Sequence, residues 1–65
     1  MGKPEDIVTV HCYGKAEKYV RSAAIQTFTE AISFSEGSER ERYSLILTDL
    51  LVGKKIASDG EPLRG

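Results

Sequence analysis

By residue type, His11 and Cys12 are the pair best suited to nucleophilic or metal chemistry in this chain. Their spacing works against it. They fall within a stretch of period two, Ile7 to Tyr13, and neighbours on a strand point to opposite faces. A base and a nucleophile so placed cannot meet, and the chain has no other Cys or His to complete a zinc site. Cys12 reads as a small buried hydrophobe, and His11 as a solvated cross-strand neighbour of Lys18. Ser22, Ser38 and Ser44 have no evident base. Asp59-Gly60-Glu61 lacks the alternating acidic ligands of a calcium loop. Gly14 stands without the further glycines of a phosphate cradle. Glu30, Glu36, Glu39 and Glu41 read as helix-surface or capping carboxylates. The expectation is a protein that is not an enzyme and holds no cofactor or metal.

Composition narrows the remaining classes. The chain has 65 residues, 40% of them hydrophobic and 29% charged. A domain of this size buries only about 60% of its unfolded surface and has little room to enclose a substrate. Nine Lys and Arg against ten Asp and Glu give a net charge of -1. That balance disfavours nucleic-acid binding, which leans on a basic excess. The alternative reading, a local basic patch of Lys15, Lys18, Arg40 and Arg42, is opposed by Glu36, Glu39 and Glu41 among the arginines. A lone cysteine forms no internal disulfide and suits a reducing cytoplasm. No apolar run reaches the length of a membrane span. The opening "MGKPEDIV" lacks the apolar core of a signal peptide, and Asp6 stands where a myristoylation signal needs Ser or Thr. A cytoplasmic location is expected.

The elements that position these residues follow from periodicity. Ile7 to Val20 reads as a β-hairpin, with Gly14-Lys15 as a two-residue loop. That register pairs Val10 with Tyr19 and His11 with Lys18, and gives Val8, Val10, Cys12 and Tyr19 a common core face. A three-residue loop places Val20 opposite Val10 instead. Ala24, Ile25, Phe28, Ala31 and Ile32 then mark one face of a helix, with Ser22 as its N-cap and Glu36-Gly37 as its end. Ser38-Glu39-Arg40-Glu41 has the form of a capping box for a second helix. That helix carries Tyr43, Ile46, Leu47, Leu50 and Leu51 on one face and stops at Gly53. This joint accounts for most of the polar cluster "SEGSERERY" but leaves Arg40 unexplained and Arg42 partly so. Ile56 reads either as part of a short third strand or as a single hydrophobic clip.

The expected fold class is therefore α+β. It is a two-layer ββαα domain over residues 1–59, with the N-terminal hairpin packed on an antiparallel helical hairpin. Residues 60–65 carry turn formers without period and read as a disordered tail. The outer face of the hairpin would carry Thr9, His11, Tyr13, Lys18 and Val20, with Ile7 near its start. That surface is rich in apolar and aromatic groups, so His11, Tyr13, Lys18 and Arg40 are the candidate contact residues. The expected partner is another protein or a second copy of the chain.

With "HCYG", the Ser35-to-Tyr43 joint, Gly53 and Ser58-Asp59 in view, the chain resembles short uncharacterised proteins of conjugative transposons and related mobile elements in Gram-positive gut bacteria. The resemblance runs from about His11 to Asp59. It implies an accessory or regulatory role in the maintenance, transfer or host interaction of such an element, in a bacterial cytoplasm. It carries no established activity, so it assigns no residue a role.

Overall fold

The computed structural model describes residues 6–61. Strand β1 spans Ile7–Cys12 and β2 spans Lys15–Val20; helix α1 spans Arg21–Phe34 and α2 spans Gly37–Leu51; strand β3 spans Ile56–Ser58. The chain is thus the α+β domain its periodicities indicate, with the third strand formed. The sheet order is β2-β1-β3, antiparallel between β1 and β2 and parallel between β1 and β3. Residues 62–65, the rest of the expected tail, lie outside the described residues.

The hairpin turns one residue earlier than expected. Cys12 pairs with Lys15, Val10 with Glu17 and Val8 with Tyr19, so the loop is Tyr13-Gly14 rather than Gly14-Lys15. Both loop residues have positive φ, 54° and 79°, which is the type I′ geometry that matches strand twist. Moving the loop back by one residue moves each pairing by two. The faces therefore survive, and Val8 and Val10 are buried with Cys12 and Tyr19 packed against them. The cross-strand neighbours do change: His11 faces Ala16, and Lys18 faces Thr9.

The core joins Val8 and Val10 of β1, Ala57 of β3, Ala24 and Phe28 of α1, and Ile46 and Leu50 of α2. Ile46 and Leu50 are one turn apart, so α2 presents both to the sheet. Leu51, expected on this face, is exposed, as is Ile56; Ala57, not Ile56, is the residue of β3 that enters the core. Ile56 pairs with Thr9, whose side chain alternates away from buried Val8 and Val10.

The joints are also built differently from the capping signals. Helix α1 begins at Arg21, directly from β2, so Ser22 lies inside the first turn and no side chain caps the helix. Arg21 takes over the tying role. Its guanidinium bonds the Asp6 carboxylate and the carbonyls of Leu50 and Gly53, joining the start of β1 to the end of α2. Ser35 and Glu36 are extended, and α2 starts at Gly37 with φ of 63°. Ser38 therefore sits within the helix, and the expected capping box does not form. Glu39, in the first turn of α2, accepts from the hydroxyls of Tyr13 and Tyr43. The last turn of α1 is satisfied by Ser35, whose hydroxyl bonds Ala31, and by Arg40, whose Nε reaches the Ile32 carbonyl at 3.4 Å.

Candidate functional site: an aromatic groove beside an open strand edge

The helices cover β1 and β3 more fully than the tip of the hairpin. Between the inner face of β2 and the side of α1 lies an open groove of about 390 Å³. Tyr13, Tyr19, Phe28 and Tyr43 form its aromatic lining, and Lys15 and Glu17 stand at its mouth on β2. All three tyrosines of the chain meet here. Phe28 contacts Tyr19 edge-on at 5.9 Å between ring centres and Tyr43 at 5.7 Å in a tilted arrangement; Tyr13 meets Tyr43 edge-on at 6.5 Å. Such geometries place ring edges against ring faces and hold the rings firmly.

Tyr13 is fixed with unusual care. A tyrosine in a left-handed turn position costs roughly 1–2 kcal/mol relative to glycine, so its neighbours must supply the compensation. Its amide donates to the Asp59 carboxylate at 2.9 Å. Its ring lies 4.2 Å below the Arg42 guanidinium. Its hydroxyl donates to Glu39, as does that of Tyr43. Arg42 in turn bonds Asp59 at 2.7 Å and also Glu61. The Asp59 side chain is fully buried, and its second oxygen accepts the Glu61 amide. Arg42, half explained by the sequence, is the clasp that holds the turn, α2 and the segment after β3 together.

The ionisation of these groups follows from that wiring. Burial would raise the Asp59 carboxyl, but the Tyr13 amide, the Arg42 guanidinium and the Glu61 amide outweigh it and hold the group below its ordinary value. Arg42 is held firmly in its charged form by Asp59 and Glu61. Burial, followed by the Glu39 charge, pushes the Tyr43 hydroxyl up to about 12. The Cys12 thiol, in the groove wall, is pushed up by burial and then by the Asp59 charge. It stays protonated near neutrality, a poor nucleophile. Among the described residues, no group of three or more His, Cys, Asp or Glu gathers where it could hold a metal ion.

The four residues singled out from the sequence do not form one patch. His11 and Lys18 share the outer face of the sheet one diagonal step apart, opposite Ala16 and Thr9 respectively. Tyr13 leaves that face and lines the groove on the helix side, because the turn is made at Tyr13-Gly14. Arg40 lies at the α1–α2 joint. Tyr19, Phe28, Tyr43 and Asp59 were missed as site residues. Tyr13-Gly14 was the available signal, since an aromatic residue in a hairpin turn position implies that its ring is wanted there.

The strand edge next to the groove is open. Thr9 donates its amide to Lys55, and His11 accepts from Asp59. Those two residues of β1 therefore bond toward β3, and Val8, Val10 and Cys12 bond toward β2. Their partners Tyr19, Glu17 and Lys15 use their backbone groups inward. Ala16 and Lys18 aim theirs outward, and the amide of Val20, the N-cap of α1, also points outward; no described strand pairs with them. The other edge is protected, because the Ser58 amide on β3 donates to the Asp49 side chain. The arginines of the described chain are engaged, and Lys54 and Lys55 pair with Asp49 and Asp6. Lys15 and Lys18 stand without an ion-pair partner among the described residues. Comparison with protein-family models, curated proteins and solved structures gave no match to this chain.

Proposed function

We propose that this chain is a non-enzymatic protein-binding module that receives an extended segment of a partner along β2. The observation that carries the reading is the adjacency of an unpaired strand edge and an aromatic groove. Strand addition takes affinity from main-chain hydrogen bonds and specificity from pockets for alternate side chains, and both parts lie side by side here. The raised Cys12 thiol, a poor nucleophile, and the lack of any metal-holding cluster among the described residues support a binding role over a catalytic one. The engagement of Arg21, Arg40 and Arg42 within the fold favours a protein partner over nucleic acid. The resemblance to mobile-element proteins suggests that such a module serves as an accessory or regulatory factor of an element, in the bacterial cytoplasm.

Panning a random-peptide library on the immobilised protein tests this reading. Selected peptides should shift the amide signals of Ala16, Lys18 and Val20 and the ring signals of Tyr19 and Phe28. An Ala16→Pro variant removes one outward N–H at an edge position where proline is tolerated, and should weaken binding roughly threefold to tenfold, the worth of one hydrogen bond. Selected peptides that map instead to the sheet face around His11, and ignore Ala16→Pro, would refute it.

A further inference from the structure

The charges along β2 suggest what the incoming strand is. We infer that it is an antiparallel segment of a different protein, with an apolar side chain opposite Tyr19, a basic one opposite Glu17 and an acidic one opposite Lys18. The inference rests on the strand-addition reading above. Antiparallel pairing is the more stable arrangement per residue, and residues directly opposite share a face. Glu17 and Tyr19 point to the groove side, as do Val10 and Val8, their partners on β1. An apolar side chain opposite Tyr19 is therefore set on the groove side beside the Tyr19 ring, which itself packs on buried Phe28. A basic one opposite Glu17 meets the carboxylate at the groove mouth. Lys18 points to the outer face with Thr9, where an acidic side chain meets an ammonium that has no partner among the described residues.

The same charges turn away a second copy. A two-fold pairing of β2 with itself must bring residues of one face together. The two longest such ladders set Glu17 against Glu17 of the other copy, or Lys18 against Lys18, and like charges directly opposite are destabilising. The remaining registers run out of strand. They reach Gly14, in the turn with φ of 79°, on one side and Arg21, where α1 begins, on the other. Lys on an exposed edge is a recurrent guard against self-pairing.

Two capped peptides of identical composition and zero net charge test the inference: Val-Ile-Glu-Lys-Thr-Thr, matched to β2 from Val20 back to Lys15, and Val-Ile-Lys-Glu-Thr-Thr, with the two charges exchanged. Titration followed by amide shifts at Ala16, Lys18 and Val20 should favour the first by about fivefold or more, from two cross-strand charge pairs. The double variant Glu17→Lys with Lys18→Glu keeps the net charge and should reverse the preference. Equal binding of both peptides at the edge, with no reversal, overturns the charge assignment and leaves strand addition standing. No edge shift with either peptide, while library peptides still bind there, overturns the assignment alone. Loss of both kinds of edge binding overturns the reading beneath it too. A concentration-dependent dimer that protects the Ala16 and Lys18 amides from exchange overturns the exclusion of a second copy.

Discussion

At the scale of single residues, Asp59 does the most with the least surface. One carboxylate closes the hairpin turn through the Tyr13 amide, holds Arg42 over the Tyr13 ring and accepts the Glu61 amide. Asp59→Asn keeps the shape but drops the charge. It should cost about 1–2 kcal/mol, the lower part of the range for charge-assisted bonds, because the partly exposed Arg42 and Tyr13 let solvent screen the pair. The loss should depend on pH. The unfolded carboxyl takes up its proton near 3.8 and the folded one only at lower pH. Between those values the unfolded state binds more protons, so the contribution of Asp59 is complete above 3.8 and drains away as pH falls through the folded value. Thermal melts of wild type and Asp59→Asn should therefore differ at neutral pH and converge in acid. A constant gap down to pH 2 would contradict the proposed wiring.

At the scale of elements, the joint between the helices separates two kinds of local signal. Gly37 has a φ of 63°, and a β-carbon there meets open space but the wrong backbone region. Gly37→Ala should cost about 1 kcal/mol from that strain alone. Ser38 lies inside α2 and caps nothing, so Ser38→Ala should leave the melting midpoint unchanged or slightly raised, since alanine is the better helix former. Urea melts of the two variants give the comparison directly. A loss of 1 kcal/mol or more in Ser38→Ala would mean that the capping box forms after all. The reason it does not form is geometric. Ser35 and Glu36 run extended, Gly37 turns the chain, and the helix has already begun when Ser38 is reached.

At the scale of the whole molecule, the two sheet edges are unequal. The β3 edge is short and is tied to α2 by the bond from the Ser58 amide to Asp49, whereas the β2 edge is long and unguarded except by its charges. Removing the tie with Asp49→Ala should loosen β3 without unfolding the core, since Ile46 and Leu50 remain buried. In native-state hydrogen exchange, the Ser58 amide and the Thr9 amide, which bonds to Lys55, should lose protection by about fivefold or more, the worth of roughly 1 kcal/mol. The amides of Val8 and Val10 should keep theirs. Equal loss across all four would mean that β3 and the hairpin open as one unit.

The sequence alone determined what local pattern can express. Period two in Ile7 to Cys12 and helical spacing in Ala24 to Ile32 and Tyr43 to Leu50 define the elements, and their order leaves the strands one partner layer, the helix pair. The core face of the hairpin was also legible, because moving the loop by one residue shifts the pairing by two and keeps each side chain on its side. What the sequence did not decide is whatever depends on contacts far apart along the chain. The turn falls at Tyr13-Gly14 because Asp59 binds the Tyr13 amide and Arg42 covers its ring, and Asp59 lies 46 residues further on. Ser22 and Ser38 carry good capping side chains, but α1 starts directly from a strand and α2 from a left-handed glycine, so both serines fall inside helices. The groove belongs to this second group. Its tyrosines come from the turn, β2 and α2, and only the packing of the hairpin on the helices brings them to one place.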